Sequence, residues 1–434
     1  MHESTSAARM SDRLFGIPVA TAQAQRDRTA IFALVAANAI SLTGNQVTMF
    51  ALPWFVLETT HSAIQTALVA ASQMIAFLVA SIAGGVFVDR FGPKWLSVVS
   101  DLVSGLSIAA IPVLMKTVGL EIWQILILAF VGAILDSPGG NARYGIITDL
   151  IDRTGAKSER VYSAFASADG AARIAGPILA GALIAWFGAV NALWVDAASF
   201  AVSAGLIAVL VPFTARPKMV AASFLGDVRA GWEYLRSRAL LVRFIALIVC
   251  VNLTAVPLAA VVIPKVARDF YESSRTGGVM LAADGIGVIL GGVIFGIIGR
   301  RLTPYRSMLL ALSLLLVSLV VLGALFPVLI SIVALALTGI GFGIMAPNNQ
   351  TVFRRITDLE FRGRVLGVRD AVGGISSPAM VVIVGIALDQ APLRIVILGL
   401  AAINLAVLVW FLRERLFWNL NASESVAEPS HQAR

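Results

Sequence analysis

Six aspartates lie within long apolar stretches of this chain: Asp101, Asp136, Asp169, Asp196, Asp284 and Asp370. An ionisable side chain is costly in such surroundings and usually has a function there. Asp136 and Asp284 have no basic residue one helical turn away, so desolvation favours their neutral form. A carboxyl group held in this way can take up and release a proton as its access to water changes. These two residues are therefore the leading candidates for reversible protonation.

Asp169 differs from them because Arg173 follows it at the i+4 position. On a helix the two side chains share a face and can form an ion pair, which would hold the carboxylate in its ionised form. The pair is either a structural bridge or a place for a charged ligand, and Asp169 is the third proton-coupling candidate. The remaining acids have structural explanations, at the end of a helix or beside a basic neighbour: Asp101, Asp196 and Asp370.

Uncharged polar residues in the same stretches can line a cavity. Asn38 and Asn45 are seven residues apart, which is two helical turns and places them on one face. The predicted ligand-binding residues are Asn38, Asn45, Gln46, Gln73, Arg173 and Asn252. The alternative for the amides is a hydrogen bond between packed helices, and the sequence does not choose between the two.

The elements that carry these residues are membrane-spanning helices. Hydrophobic residues make up 58% of the 434 residues and charged residues only 13%, whereas an average soluble domain is about 25% charged. Twelve apolar runs are long enough, at about 20 residues, to cross a bilayer. We therefore expect an all-α membrane protein with six-helix bundles at residues 30–212 and 240–416, a linker with an amphipathic helix at 213–239, and cytoplasmic tails at 1–29 and 417–434.

Composition and motifs argue against other classes of protein. The net charge is +8, but the basic residues fall in short loops, which indicates membrane orientation and not nucleic-acid binding. The single cysteine, Cys250, excludes an intramolecular disulfide. The sequence holds no phosphate loop, no His-Glu-x-x-His motif and no serine elbow with a partner histidine, so it predicts neither an enzyme nor a cofactor or metal.

The distribution of lysine and arginine predicts the orientation. If the turn between Asp89 and Lys94 is cytoplasmic, cytoplasmic segments hold 26 of the 33 basic residues and outer loops hold five. The excess of basic residues in cytoplasmic loops then places both termini in the cytoplasm and the chain in the plasma membrane.

The two halves of the chain repeat each other. Residues 138–150 align with residues 347–359 at an offset of 209, and Ile-Thr-Asp-Leu is identical in both. Pro177 aligns with Pro378 at an offset of 201. An even number of spans separates the copies, so the bundles are parallel repeats, a known plan of transporters.

A charged turn between the second and third spans is the predicted gate: Gly85, Asp89, Arg90, Gly92 and Lys94. Gly92 permits a tight reversal, and Asp89 can accept hydrogen bonds at the N-terminus of a neighbouring helix. Arg90 and Lys94 can pair with carboxylates of the other half. Such a cluster would close the cytoplasmic side and open as the halves rock.

This turn resembles the signature of the major facilitator superfamily, and the resemblance covers about residues 30–415. In the fifth span, Gly176, Pro177 and Gly181 are similar to the motif of the superfamily's proton-coupled exporters, although Ala172 and Ala180 stand where glycines are usual. The segment Gly231-Trp-Glu-Tyr-Leu is among the finer features that resemble enterobactin exporters and macrolide efflux proteins.

The resemblance implies a monomeric transporter in a bacterial inner membrane. It would export an amphipathic small molecule, such as a drug, macrolide or siderophore, by proton antiport and alternating access. Its partners would be the substrate, protons and the lipid bilayer. One alternative is an uptake symporter or lysophospholipid flippase of the same fold, and another is a membrane sensor or scaffold that transports nothing.

Overall fold

The computed structural model describes residues 22–213 and 224–418, and all regular structure in these two ranges is helical. Twelve helical segments in them are long and apolar enough to cross a membrane. This confirms the predicted all-α membrane fold. The chain divides into two compact units, and the short segment Ser62–Ala67, which includes the start of the second long helix, groups with the later unit.

The first unit comprises Met1–His61 and Leu68–Ala221. Its helices are α1 (Ala22–Thr60), α2 (Ala63–Phe91), α3 (Pro93–Thr117), α4 (Ile122–Ile134), α5 (Asp136–Thr154), α6 (Ser158–Phe187) and α7 (Ala189–Leu210). Helices α4 and α5 form one membrane span that is interrupted at Leu135.

Five helices of the first unit pack around one apolar core. Helix α1 contacts α6 and α7, and α3 contacts α5 and α7. Fully buried side chains from α1, α5 and α7 fill the space between them, among them Leu34, Ile146 and Ile207. Helix α6 approaches α1 closely at Gly176, where an added Cβ would lie 2.2 Å from the Cβ of Gln46. This glycine of the predicted exporter motif therefore sets the distance between two helices.

The second unit comprises Ser62–Ala67 and Ala222–Arg434. Its longer elements are α8 (Phe224–Ser237), α9 (Ala239–Pro257), a π-helical turn (Leu258–Val262), α10 (Ile263–Asp269), α11 (Ser274–Ile298), α12 (Pro304–Gly323), α13 (Val328–Ile356), α14 (Arg362–Gln390) and α15 (Leu393–Arg413). Two 3-10 turns, Gly299–Arg301 and Leu359–Phe361, and the short helix α16 (Arg415–Trp418) complete it.

Helices α11 and α13 pack through glycines. A Cβ at Gly287 would lie 2.1 Å from the backbone oxygen of Ala336, and one at Gly339 would lie 2.0 Å from the backbone oxygen of Asp284. Small residues let membrane helices approach until their backbones touch. The contact fixes the position of Asp284, one of the predicted proton-coupling residues, on α11.

Candidate functional site

Four helices place a cluster of polar side chains inside the first unit. On each helix the residues are spaced by three, four or seven, so that they share one face. They are Asn38, Ser41 and Asn45 of α1, Ser97, Asp101 and Ser104 of α3, Asp136 and Arg143 of α5, and Asp196, Ser199 and Ser203 of α7. We call this set the polar cluster.

The fixed charges of the polar cluster are Arg143 and Asp101, which form a hydrogen-bonded ion pair. The two side chains are only 5% and 3% exposed. The guanidinium also donates to uncharged acceptors on three helices at 3.1–3.4 Å: Asn38, Ser41, Ser97 and Ser203. A buried ion pair is tolerated when further hydrogen bonds satisfy its remaining polar atoms. The guanidinium of Arg143 meets that condition, whereas Oδ2 of Asp101 is buried without a hydrogen-bond partner among the described residues.

Two expectations from the sequence are corrected here. Arg143 was counted among the basic residues of cytoplasmic segments, and Asp101 was assigned a structural role near the end of its helix. Both are instead buried inside the first unit, at 4% and 2% exposure. The sequence signal that predicts their burial is the polar stripe on four otherwise apolar helices, of which only the asparagines of α1 and the three aspartates had been singled out.

Asp136 is the first residue of α5, at the interruption of the span. Its Oδ2 accepts a hydrogen bond from the side-chain amide of Asn45 at 3.2 Å. Its Oδ1 lies 2.8 Å from the hydroxyl of Ser104, which is also 2.6 Å from the backbone oxygen of Gly132. A hydroxyl carries one proton, so Ser104 donates to only one of these oxygens at a time.

This arrangement suits both protonation states of Asp136. When the carboxyl group is ionised, Ser104 donates to it. When it is protonated, its own O–H can donate to Ser104, whose proton then goes to the oxygen of Gly132. A rotation of one hydroxyl therefore keeps the hydrogen bond between Ser104 and Asp136 in both protonation states, which is what a group that gains and loses a proton requires.

Asp196 is the third acid of the polar cluster and has no exposed surface. The hydroxyl of Ser199 lies 3.2 Å from its Oδ1. A Cβ at Gly44 would lie 2.4 Å from the same oxygen, so a glycine is needed where α1 passes this acid. The sequence had placed Asp196 near the outer end of its helix, where it would reach water or cap the helix, and the structure buries it instead.

The polar cluster therefore holds three acids and one guanidinium. An unpaired negative charge is expensive in such a setting, and a neutral acid with hydrogen bonds is far less so. Charge balance thus favours protons on the acids that Arg143 does not neutralise.

The other predicted acids have different surroundings. Asp169 and Arg173 form the expected i,i+4 ion pair at 3.4 Å, with side chains 43% and 61% exposed. Asp284 is half-buried on α11, and no hydrogen bond or ion pair joins it to another residue of the described ranges. It lies on the opposite side of α11 from an exposed apolar stripe that includes Val279, Ile286, Leu290, Val293 and Ile297.

The predicted ligand-binding residues do not form one group. Asn38 and Asn45 belong to the polar cluster, where they bind Arg143 and Asp136. Gln46 and Gln73 are half-buried on α1 and α2. In the second unit, Asn252 lines a cavity of about 20 Å³ together with apolar and amide side chains that include Met308, Met345 and Asn349.

The two halves differ at positions that the repeat aligns. The offset of 209 that pairs residues 138–150 with 347–359 also pairs Asp136 with Met345, and Arg143 with Val352. Met345 lines the cavity of the second unit, and Val352 is buried. The second half thus has apolar residues where the first half has two members of its polar cluster.

The predicted gate is described only in part. Gly92 precedes α3 with a positive φ of 75°, as expected for a tight reversal. Lys94 donates to the backbone oxygen of Ala208 at 2.8 Å and lies 4.5 Å from the ring centre of Phe213, whereas a carboxylate partner had been expected. The surroundings of the three further predicted gate residues, Gly85, Asp89 and Arg90, lie outside the described part of the structure, which gives only their helical backbone. The predicted exporter motif, Gly176, Pro177 and Gly181, is buried in α6.

Comparisons with known proteins agree with this architecture. The family model of the Major Facilitator Superfamily matches residues 34–260 and again residues 245–431. The multidrug efflux pump Tap of Mycolicibacterium fortuitum is 30% identical over 381 residues, which cover 86% of this chain and 91% of that protein. The multidrug efflux pump Tap of Mycobacterium tuberculosis is 27% identical over 389 residues, with the same two coverages of 86% and 91%.

Solved structures are similar in fold at low sequence identity. The nucleoside transporter NupG has a TM-score of 0.75 and 11% identity, over 89% of this chain and 99% of its own. The POT family transporter PepTSo has a TM-score of 0.68 and 12% identity, over 93% of this chain and 99% of its own.

Proposed function

The chain belongs to the major facilitator superfamily and is a transporter, not an enzyme, and we propose that it exports amphipathic small molecules in exchange for protons. The substrates would be drugs, macrolides or siderophores. The membrane would be a bacterial inner membrane, with both termini in the cytoplasm. Support for export comes from relatives that are named multidrug efflux pumps and align over 86% of this chain.

The observation that carries the proton-coupling proposal is the pair of hydrogen-bonding states available to Asp136. Ser104 lies within hydrogen-bond distance of both Asp136 and the oxygen of Gly132. The carboxyl group can therefore change its protonation state and keep its own hydrogen bond to Ser104. Unpaired buried polar atoms cost roughly 1–3 kcal/mol each, and avoiding that cost lets one site hold and release a proton readily.

The remaining proton-coupling candidates take different places in the proposal. Asp284 is the second candidate, because it is half-buried and has no partner among the described residues. Asp169 ranks third, because Arg173 compensates its charge. Asp196 joins the candidates as a fully buried acid of the polar cluster.

We assign the substrate to residues that the polar cluster does not engage. Asn38 and Asn45 are occupied by Arg143 and Asp136, so their role is to support the proton site. The remaining substrate-binding candidates are Gln46, Gln73, Arg173 and Asn252. Apolar walls with a few polar groups are typical of small-molecule sites, and the surroundings of Asn252 have this character.

The test uses purified protein in liposomes with an imposed pH gradient and a panel of macrolides, dyes and catecholate siderophores. Asp136→Asn keeps the size of the side chain and one acceptor oxygen but cannot titrate. We expect its substrate-dependent proton movement to be lost while substrate binding, measured as thermal stabilisation, is kept. Asp149→Asn is the matched control, since it removes an acid that pairs with Arg153 at 2.7 Å and is not a proton-coupling candidate.

Three outcomes would contradict parts of this proposal. Wild-type proton movement in Asp136→Asn would remove Asp136 as the carrier, and an effect confined to Asp284→Asn would move the role to that residue. Substrate flux without proton movement in the wild-type protein would rule out antiport and favour a facilitator or lipid flippase.

A further inference from the structure

A carboxylate at the end of α14 holds the beginning of α2. Asp389 lies in the last turn of α14, and its Oδ1 accepts the backbone N–H of Ala63 at 2.7 Å. Its Oδ2 accepts the backbone N–H of Ile64 at 3.0 Å and the hydroxyl of Ser62 at 2.7 Å. All of these residues belong to the second compact unit, which includes Ser62–Ala67.

These contacts satisfy the first turn of α2 completely. The first N–H groups of a helix have no partner within it. Here Asp389 accepts hydrogen bonds from the backbone N–H groups of Ala63 and Ile64. The hydroxyl of Ser62 accepts one from the backbone N–H of Gln65 at 3.3 Å. The backbone N–H of Thr66 then makes a bond to the oxygen of Ser62. A carboxylate at this end also interacts favourably with the helix dipole.

A second observation extends the contact by one turn. A Cβ at Gly385 would lie 2.5 Å from the Cβ of Ala67, 2.9 Å from the oxygen of Ala63 and 3.1 Å from the Cα of Ile64. The backbone of α14 thus touches α2 directly, and any larger residue at position 385 would push the two helices apart.

This contact lies at the start of a helix whose residues are divided between the two units. Helix α2 is continuous from Ala63 to Phe91, yet only Ser62–Ala67 groups with the second unit, and the chain from Leu68 groups with the first. The first turns of α2 are therefore attached to α14, while the rest of the helix belongs to the other unit. A change in the arrangement of the units must either bend α2 near Ala67 or release its first turn.

We propose that Asp389 is a releasable clamp on the first turn of α2. It is closed in the present state and opens when the transporter changes the side from which its substrate is reached. In the predicted topology this end of both helices faces outward. Asp389 is exposed, so water can hydrate the carboxylate and the freed N–H groups. Release is thereby feasible, in contrast to the buried pair of Asp101 and Arg143.

The proposal uses the alternating access of the proposed function but not its proton site or its substrate. It is tested by the accessibility of Thr66, which has no exposed surface in this state. Cys250 is the only cysteine, so Thr66→Cys in a Cys250→Ala background gives a single reporter thiol. The rate of its reaction with a membrane-impermeant maleimide is measured in lipid nanodiscs without substrate or pH gradient.

Two variants break the clamp in different ways. Asp389→Asn removes the charge, and we expect the reporter to react roughly tenfold faster, because losing charge-assisted hydrogen bonds shifts the closed–open equilibrium by about that factor. Gly385→Ala forces the backbones apart and should act in the same direction. Asp389→Glu keeps the charge and should restore slow labelling at least in part.

Each variant has a matched control. Asp269→Asn removes an acid that ends α10 and pairs with Lys265 at 2.9 Å. Gly373→Ala adds a methyl group to α14 where nothing lies within 4 Å. Both should label as slowly as the parent. The proposal is overturned if the reporter thiol reacts at the control rate in both Asp389→Asn and Gly385→Ala. It is also overturned if the thiol reacts as fast in the control variants as in these two.

Folding is checked by circular dichroism and by elution as a single species in detergent. Should Asp389→Asn fail this check, Gly385→Ala against Gly373→Ala decides the question alone. Because the assay needs neither flux nor protons, a failure of the antiport proposal leaves its result unaffected.

Discussion

Removing Arg143 tests whether the polar cluster is held together by charge. Arg143→Gln leaves Asp101 buried, at 2% exposure, without its counter-charge. Breaking a buried ion pair by removing one partner costs about 3–5 kcal/mol. The cost has a ceiling, because Asp101 can take up a proton. For an ordinary aspartate this costs about 4 kcal/mol at pH 7, from roughly three pH units at 1.36 kcal/mol each.

The same ceiling makes the effect depend on pH. At pH 5 the cost of protonating an ordinary aspartate falls to about 1.5 kcal/mol. We therefore expect Arg143→Gln to lower the free energy of unfolding by roughly 4 kcal/mol at pH 7 and by only about 1.5 kcal/mol at pH 5. The variant binds the extra proton in its folded state, so its stability relative to the wild type improves as the pH falls.

The assay is denaturant-induced unfolding in detergent at both pH values, completed as a double-mutant cycle with Asp101→Asn. The double variant carries no buried charge at this pair and should recover about 2 kcal/mol or more at pH 7 relative to the sum of the single changes. Arg153→Gln is the control. It breaks an i,i+4 pair with Asp149 whose side chains are 35% and 30% exposed, and it should change stability by less than about 1 kcal/mol.

Two results would refute this reasoning. A loss below about 1 kcal/mol for Arg143→Gln at pH 7 would mean that the pair is not an essential part of the buried cluster. Strict additivity in the cycle would mean that Asp101 and Arg143 do not interact as their geometry requires.

Three further predictions use matched pairs or a single cavity residue. Gly44→Ala should cost about 1–3 kcal/mol by overpacking against α7, whereas Gly205→Ala, with nothing within 4 Å, should be nearly neutral in thermal unfolding. On α11, Gly287→Ala should likewise destabilise the second unit by about 1–3 kcal/mol. Gly292→Ala should leave its stability unchanged, because nothing lies within 4 Å of the added Cβ. Asn252→Leu should raise the KM for substrates that offer a hydrogen bond about fivefold, the equivalent of about 1 kcal/mol, and leave apolar substrates unchanged in liposome efflux assays.

The sequence predicted the spans because each is a local property. Length and hydropathy decide whether a segment can cross a bilayer, and the repeat of residues 138–150 at 347–359 related the two halves. The i,i+4 pair of Asp169 and Arg173 was also predictable, since one helix contains both partners.

The polar cluster was predicted only in part, because its partners come from different helices. Asp136 was selected for having no nearby base, but Arg143 was only counted among the cytoplasmic basic residues. Its partner Asp101 is 42 residues away. The rotation of α3 and α5 that brings them together follows from packing, which one-dimensional spacing does not specify.

Asp389 was overlooked for the same reason. A favourable contact of an acid with a helix N-terminus was expected at Asp89, whose side-chain surroundings lie outside the described part of the structure. A contact of this kind is present at the start of α2, where Ala63 and Ile64 donate to Asp389. The sequence around one helix end does not reveal which distant residue it contacts, since 326 residues separate Ala63 from its acceptor.

The two halves of the repeat have diverged in a way that fits two separate tasks. A proton site needs a fixed set of hydrogen bonds around its acid, as Asn45 and Ser104 provide for Asp136. A site for varied ligands needs adaptable apolar walls, a property of methionine, and Met345 occupies the position equivalent to Asp136. If varied substrates contacted Asp136 directly, each would change the hydrogen bonds that hold its proton. Under the proposed function, flexible apolar residues in the second half would keep the proton chemistry the same for every substrate.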